Sequence, residues 1–204
     1  MPDDADTKHR DCAAIVLAAG SSSRLGQPKQ LLLIDGESLL HRTARLAVEA
    51  GCRPVIVVLG FEHARIQAEV DDLAVSVAVN ETWTEGMGGS LRCGMQALMQ
   101  AAPSSENVLV LVCDQPRLNQ TYLETLLDTH EARNQNESMT ASRYGGRTGV
   151  PAIFPREHYA RLLESKGDEG ARKLLRRLIH FVQPVEFSKG ETDIDLPGDL
   201  NTLR

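Results

Sequence analysis

The sequence predicts an α/β fold built on a mostly parallel, doubly wound sheet. Two observations predict it. Residues 13–18, 54–59 and 108–112 are apolar throughout rather than alternating, the pattern of strands covered on both faces. Between them lie segments of helical spacing, about 10–15 residues each, as in βαβ units whose parallel strands need a crossover. Sheets of this kind bind ligands outside the carboxyl ends of their strands, so the chemistry is expected in the loops that follow them.

The elements follow in chain order. The first strand, residues 13–18, runs into the loop LAAGSSSRLGQPKQ, residues 17–30. Residues 38–50 form a helix with Leu39, Leu40, Thr43, Leu46 and Ala47 on one face, and Gly51 ends it as glycine does beyond a helix C-terminus. A strand at 54–59, a helix at 62–70 and a strand at 73–79 come next. Residues 88–101 are helical, with Leu91, Met95, Leu98 and Met99 directed inward. The strand 108–112 (VLVLV) is the most hydrophobic of all, and Asn119 caps a helix over 119–133. Beyond it the pattern is less regular. Strands at 138–143 and 152–154 flank Gly145 and Gly146, helices at 155–163 and 169–179 are split by Lys166 and Gly167, and 181–187 is an edge strand because Pro184 lacks an N–H. A last short helix starts near Pro197. Residues 1–12 read as a frayed polar tail and 13–204 as one domain.

Composition narrows the function. A net charge of -6 argues against a nucleic-acid binder, which needs a basic face. The four cysteines form no CxxC pair, which suits reduced, buried thiols in a cytoplasmic protein. The N-terminus has no apolar h-region, and no run reaches the ~18 apolar residues of a membrane span, so neither a signal peptide nor a membrane anchor is expected. The histidines show no metal spacing, and there is no GxSxG elbow of a serine hydrolase.

Four stretches carry chemistry. The loop at 17–30 matches neither GxxxxGK[ST] nor GxGxxG. Its ingredients nonetheless suit an anion: Ala18, Ala19, Gly20 and Ser21 let backbone N–H groups approach closely, Arg24 offers a planar fork and Lys29 a compact charge, a pair better matched to a triphosphate than to one phosphate. The same residues also suit a solvated polar loop. In VCDQPRL, Asp114 directly follows an apolar strand, where a carboxylate holds Mg²⁺ against phosphate oxygens or simply makes a turn. In residues 79–94, Asn80 ends a strand, and Gly86, Gly88 and Gly89 lead into a helix whose first turn holds Ser90, with donors for a base or sugar. Trp83, the one tryptophan, either walls a pocket or packs. Near the C-terminus, Asp193 and Asp195 alternate and share a strand face, which makes Asp195 a second carboxylate candidate, while Asp199 is a helix cap.

Taken together these stretches resemble a family. The loop resembles the LAAGxSxRxGxPKxLL signature of nucleotidyltransferases of the molybdenum cofactor branch. Asn80, Trp83, Gly86, Met87 and Ser90 fit its second signature, CDQP its third, GVPAIF (residues 149–154) its fourth, GDEGARKLL (167–175) its fifth, and DIDLPGDL its closing one. Six signatures in order are specific where each alone is weak. Ala19 with Gln27, Pro28 and Lys29 favours the cytidylyl branch over the guanylyl branch, which more often reads LAGG with GGxDK. Leu196, Gly198 and residues 117–120 depart from the pattern, which bears on the acceptor rather than on the chemistry.

The resemblance implies a three-layer α/β/α fold of the nucleotide-diphospho-sugar transferase type. It implies that a phosphate of molybdopterin cofactor attacks the α-phosphorus of CTP and pyrophosphate leaves. Leu17, Ala18, Ala19, Gly20, Arg24, Lys29, Asn80, Gly86 and Ser90 would bind the nucleotide, the amides of Ala19 and Gly20 included. Arg24, Lys29 and Asp114 would be catalytic, Asp114 and Asp195 would hold Mg²⁺ or Mn²⁺, and Gly149, Val150, Pro151, Asp168 and Arg172 would face the acceptor. A molybdoenzyme or its maturation chaperone is the implied recipient. The rival expectations are GTP or another nucleoside triphosphate with a sugar or alcohol phosphate acceptor, or a non-catalytic accessory protein that binds the cofactor. A nicotinamide oxidoreductase is disfavoured by the absent GxGxxG.

Overall fold

The computed structural model describes residues 10–22, 25–133, 138–188 and 190. A seven-stranded sheet runs through the middle. Its strands are β1 (Ala13–Leu17), β4 (Val55–Leu59), β5 (Ser76–Val79), β6 (Asn107–Val112), β7 (Met139–Tyr144), β8 (Arg147–Pro155) and β9 (Val182–Glu186), in the order β5-β4-β1-β6-β8-β7-β9. All neighbours pair in parallel except those of β8, which runs antiparallel to both β6 and β7. The mostly parallel, doubly wound sheet is therefore present, and Pro184 sits in the edge strand β9 as its missing N–H requires.

Alternate residues of β1 serve the two sides of this sheet. Ala14 and Val16 join a core with α1 (Leu39–Glu49), α2 (His63–Ile66) and α4 (Gln120–Glu131). Ala13, Ile15 and Leu17 join a second core with α3 (Met87–Ala101), α5 (Tyr159–Leu163) and α6 (Gly170–Arg177). The result is three layers, helix on sheet on helix. Ile15 and Ile56 are fully enclosed, each burial contributing about 1.5–3 kcal/mol. Helix α1 begins where the Ser38 hydroxyl accepts from His41 N–H and stops before Gly51 at φ 87°. Asn119 caps α4 by accepting from Tyr122 N–H.

Some expectations give way. Met99 is 39% exposed, because α3 needs only the stripe Leu91, Met95 and Leu98 to cover the sheet. The helix at 62–70 tightens after Ile66 into a 3₁₀ turn, Gln67–Val70. The strand at 73–79 pairs only over Ser76–Val79, at the sheet edge. The helices at 155–163 and 169–179 are each part 3₁₀, with α-helix confined to α5 and α6. The strands around Gly145 and Gly146 extend to a full hairpin. A small hairpin, β2 (Leu33–Ile34) with β3 (Glu37–Ser38), turns through Asp35 and Gly36 at φ 53° and 84°. That Asp-Gly pair is a hairpin signal in the sequence itself. The tail read at 1–12 gives way at its end: Arg10 is buried, pairs with Asp128 and Glu131 and donates to the Ala50 carbonyl, and Cys12 joins the core with α1. Its residues 1–9, the helix near Pro197 and Asp193, Asp195 and Asp199 lie outside the described residues. The cysteines are free, with Cys12, Cys52 and Cys113 buried. No helix among the described residues is long and apolar enough to cross a membrane.

Helix α3 lies close against the sheet. A Cβ on Gly94 would stand 2.7 Å from Ile15 Cγ2 and 2.8 Å from Val58 Cγ2. Glycine is a poor helix former, so its place there reflects the lack of room. Gly94→Val is expected to destabilise the protein by about 2 kcal/mol through overpacking, read as a lower urea midpoint at unchanged slope.

Candidate active site

The two central strands end side by side. Leu17 of β1 is in register with Val112 of β6. The chain winds from β1 outward through β4 to β5, then returns to β6 on the other side, so the ends of β1 and β6 form a topological switch point. From Leu17 the chain enters the small-residue loop, and from Val112 it enters Cys113, Asp114 and Gln115.

Two contiguous clefts open there. The first, about 360 Å³, is walled by residues 18–21, Lys29, Gln30, Trp83 and Ser90. The second, about 270 Å³, is walled by Gln115, Tyr144, Val150, Arg172, Lys173 and Arg176. Leu17, Met87, Val112, Asp114 and Asp168 belong to both, so two carboxylates stand at the seam between a loop-lined cleft and a cation-lined one.

At that seam Lys29 Nζ donates to Asp114 Oδ2 at 2.6 Å, both side chains about four-fifths buried. Lys29 reaches it because Pro28 leads into a 3₁₀ turn, Lys29–Leu31, and because Lys29 N–H donates to the Ser22 hydroxyl at 3.1 Å, folding the loop back on itself. Ser22 and Gly26 both take positive φ to make this turn. Burial, reinforced by the Asp114 charge, pushes the neighbouring Cys113 thiol up to about 12, so it stays protonated beside Asp114. Asp114 suits a hard cation that takes one carboxylate, with phosphate oxygens and water completing its shell. Among the described residues no group of three or more His, Cys, Asp or Glu gathers as a metal cage.

Trp83 both packs and walls the first cleft: its ring meets Phe61 edge-on at 5.6 Å. Ser90 is 5% exposed and its hydroxyl accepts from Asn80 Nδ2 at 3.1 Å. Asn80 also accepts from Thr82 N–H and hydroxyl, so it stands behind the wall and orients Ser90 rather than lining the cleft. Gly86 opens α3 at φ 97°, where a side chain would strike the Asp168 carboxylate. A Cβ on Gly88 would stand 2.6 Å from the Lys166 backbone. Residues 166–168 therefore lie against the start of α3, which brings Asp168 to the seam.

In the second cleft only Val150 of the expected trio lines the wall. Gly149 is packed under the Tyr144 hydroxyl, which its missing side chain makes possible, and the Pro151 carbonyl accepts from the Ser142 hydroxyl at 2.7 Å. Arg172 is exposed at the cleft and is joined by Lys173 and Arg176, which sequence reasoning passed over although 172 and 176 have the i, i+4 spacing of one helix face. Gln30, Gln115 and Tyr144 carried no signal of their own. Arg24 and Asp195 lie outside the described residues.

A family model described as a MobA-like NTP transferase domain matches residues 14–182. The chain is 30% identical to nicotine blue oxidoreductase of Paenarthrobacter nicotinovorans, across 97% of this chain and 98% of that one. It is 28% identical to purine catabolism protein PucB of Bacillus subtilis, across 93% and 94%. Rv0371c from Mycobacterium tuberculosis superposes with a TM-score of 0.78 at 28% identity, over 96% of this chain and 98% of that one. A complex of Rv0371c with manganese gives 0.72 at 27% identity, over 94% and 97%. The three layers are thus the nucleotide-diphospho-sugar transferase-like fold.

The contact between Gly88 and Lys166 sets the position of Asp168. Gly88→Ala is expected to push residues 166–168 off the helix at a cost of about 1–3 kcal/mol. Hydrogen exchange should show faster exchange at 166–170, with the β1 and β6 amides unchanged.

Proposed function

The chain belongs to the MobA-like NTP transferase family, and on that premise we propose that it transfers CMP from CTP to the phosphate of molybdopterin cofactor, releasing pyrophosphate. Nucleotidyl transfer is the family's reaction; the nucleotide and the acceptor are our reading. The observation that carries it is the seam, where Lys29 and Asp114 stand between a loop-lined cleft and a cationic one. Displacement at an α-phosphorus needs the attacking and leaving oxygens on opposite sides of it. Two clefts meeting at one charged seam supply that arrangement.

In this reading the triphosphate lies in the first cleft against residues 17–21, with Arg24 and Lys29 balancing its charge. Ser90, held by Asn80, and the turn at Gly86 face the base. The acceptor lies in the second cleft, where Val150, Asp168 and Arg172 contact it and Gly149 and Pro151 shape the wall behind. An acceptor phosphate oxygen bonds to the α-phosphorus while the bond to the β-phosphate oxygen breaks. The attacking oxygen is already ionised, so no strong general base is required, and positioning with charge neutralisation supplies the rate. Asp114, with Asp195, would hold Mg²⁺ or Mn²⁺, which when bound neutralises phosphate oxygens. The manganese complex of Rv0371c supports a divalent metal.

The cations of the second cleft favour an anionic acceptor, and they suit a sugar or alcohol phosphate as well as a pterin phosphate. Likewise the first cleft would take GTP if its base wall accepts a purine. The similarity to nicotine blue oxidoreductase sets a redox reading beside this one. Oxidation of a nicotinamide cofactor with no nucleotide turnover would favour that reading over ours.

A panel of nucleoside triphosphates with Mg²⁺ or Mn²⁺, followed by thermal shift, is expected to single out CTP. At a hundred times its dissociation constant CTP should add about 2.7 kcal/mol of stability. With molybdopterin cofactor present, pyrophosphate should appear. Lys29→Met and Asp114→Asn are each expected to cut turnover by about 10²–10³ while the fold persists. If no triphosphate shifts the melting temperature and none yields pyrophosphate, the reading fails.

A further inference from the structure

Gln30 is 1% exposed, yet it belongs to the wall of the first cleft. Its Nε2 donates to Ala18 carbonyl and to Gly20 carbonyl, both at 2.7 Å. Both partners are carbonyl oxygens, which accept only, so the NH₂ end of the amide is fixed by its neighbours. Its other end, Oε1, is buried and has no partner among the described residues. An apolar side chain of similar length would fill the same space without stranding an oxygen. The amide is thus kept at a cost, and what it does in return is hold two main-chain carbonyls.

Holding those carbonyls orients two donors. In a trans, planar peptide the N–H points opposite to the C=O. Turning the Ala18 and Gly20 carbonyls toward Gln30 therefore turns the N–H groups of Ala19 and Ser21 away from it. The carbonyl between them, Ala19 O, is engaged separately, accepting from Phe61 N–H at 3.1 Å. Among the described residues the N–H groups of Ala19 and Ser21 donate to no backbone carbonyl. Gln30 also follows Lys29 in the same 3₁₀ turn, so one short segment carries both the seam cation and the clamp on the loop.

We infer that Gln30 is a positioning residue: it sets the loop so that the amides of Ala19 and Ser21 form a fixed pair of donors for phosphate oxygens. It touches no phosphate itself. The inference rests on the nucleotide-binding reading of the first cleft and replaces Gly20 by Ser21 as the second amide donor.

The test uses Trp83, the one tryptophan, which lies in that cleft and reports binding by its fluorescence. Wild type and Gln30→Met are titrated with pyrophosphate in MgCl₂ and, separately, with cytidine. Gln30→Met is expected to keep its melting temperature within a few degrees and to lose about tenfold in pyrophosphate affinity, the scale of a charge-assisted hydrogen bond. Its cytidine affinity should stay within about twofold of wild type, since a nucleoside offers no phosphate to those amides. An unchanged pyrophosphate affinity overturns the inference, and so does an equal loss for both ligands, which marks general damage to the cleft. Should Gln30→Met not fold, Gln30→Asn, whose amide falls one methylene short of the two carbonyls, is judged by the same titrations. If wild type binds neither pyrophosphate nor CTP, the nucleotide reading itself fails, an outcome separate from a wild type that binds and a variant that binds equally well.

Discussion

The in-register pairing of β1 with β6 is the constraint on which the rest of the structure depends. Leu17 opposite Val112 puts the end of the small-residue loop beside the residue that precedes Cys113 and Asp114, although the two segments are almost a hundred positions apart. Both strands are closed to water on both faces, and every residue of β1 is buried. A slip of one residue would send Ile15 to the layer of α1 and Val16 to that of α3, exchanging side chains of different size across two packed cores. The register is therefore held by packing, and the ion pair of Lys29 with Asp114 follows from it.

Around that centre, approach distances are set by residues that lack side chains. Gly94 lets α3 settle on Ile15 and Val58. Gly86 and Gly88 at its start let residues 166–168 close over the helix, and Gly60 leaves room for Trp83 and for the Ala19 carbonyl. These contacts join the first-half loops to the second half of the chain. The two clefts share a wall because α3 is seated low enough for Asp168 to reach the seam.

Much of this was legible in the sequence. Continuous apolar runs at β1, β4 and β6 have no other good explanation than burial on both faces, and Gly51 and Asn119 mark helix ends through purely local chemistry. Asp114 stood out because a lone carboxylate after such a strand is placed by topology alone. Where local signals competed, prediction failed. Met99 has the period of a buried position but falls outside the stripe that α3 needs. The 3₁₀ turns at Gln67–Val70 and Arg156–His158 have helical composition but close i→i+3 hydrogen bonds in place of the i→i+4 bonds of an α-helix, as where Tyr159 N–H donates to the Arg156 carbonyl.

What the sequence by itself determined is the sheet, its helical layers and the residue types that face its carboxyl edge, because hydrophobic period and strand-end chemistry are local properties. Only the tertiary structure decided which of those residues share a cleft. Asn80 carries the same kind of side chain whether it lines a wall or stands behind it, and its bond to Ser90 places it behind. Gly149 and Pro151 sit in the same segment as Val150, yet the packing of Tyr144 leaves Val150 alone of the three at the surface of the cleft. Gln30 looks in sequence like any polar residue of a loop, and its burial against two carbonyls depends on how that loop folds back. Orientation and burial of a polar side chain come from partners distant in the chain, and no window of neighbouring residues contains them.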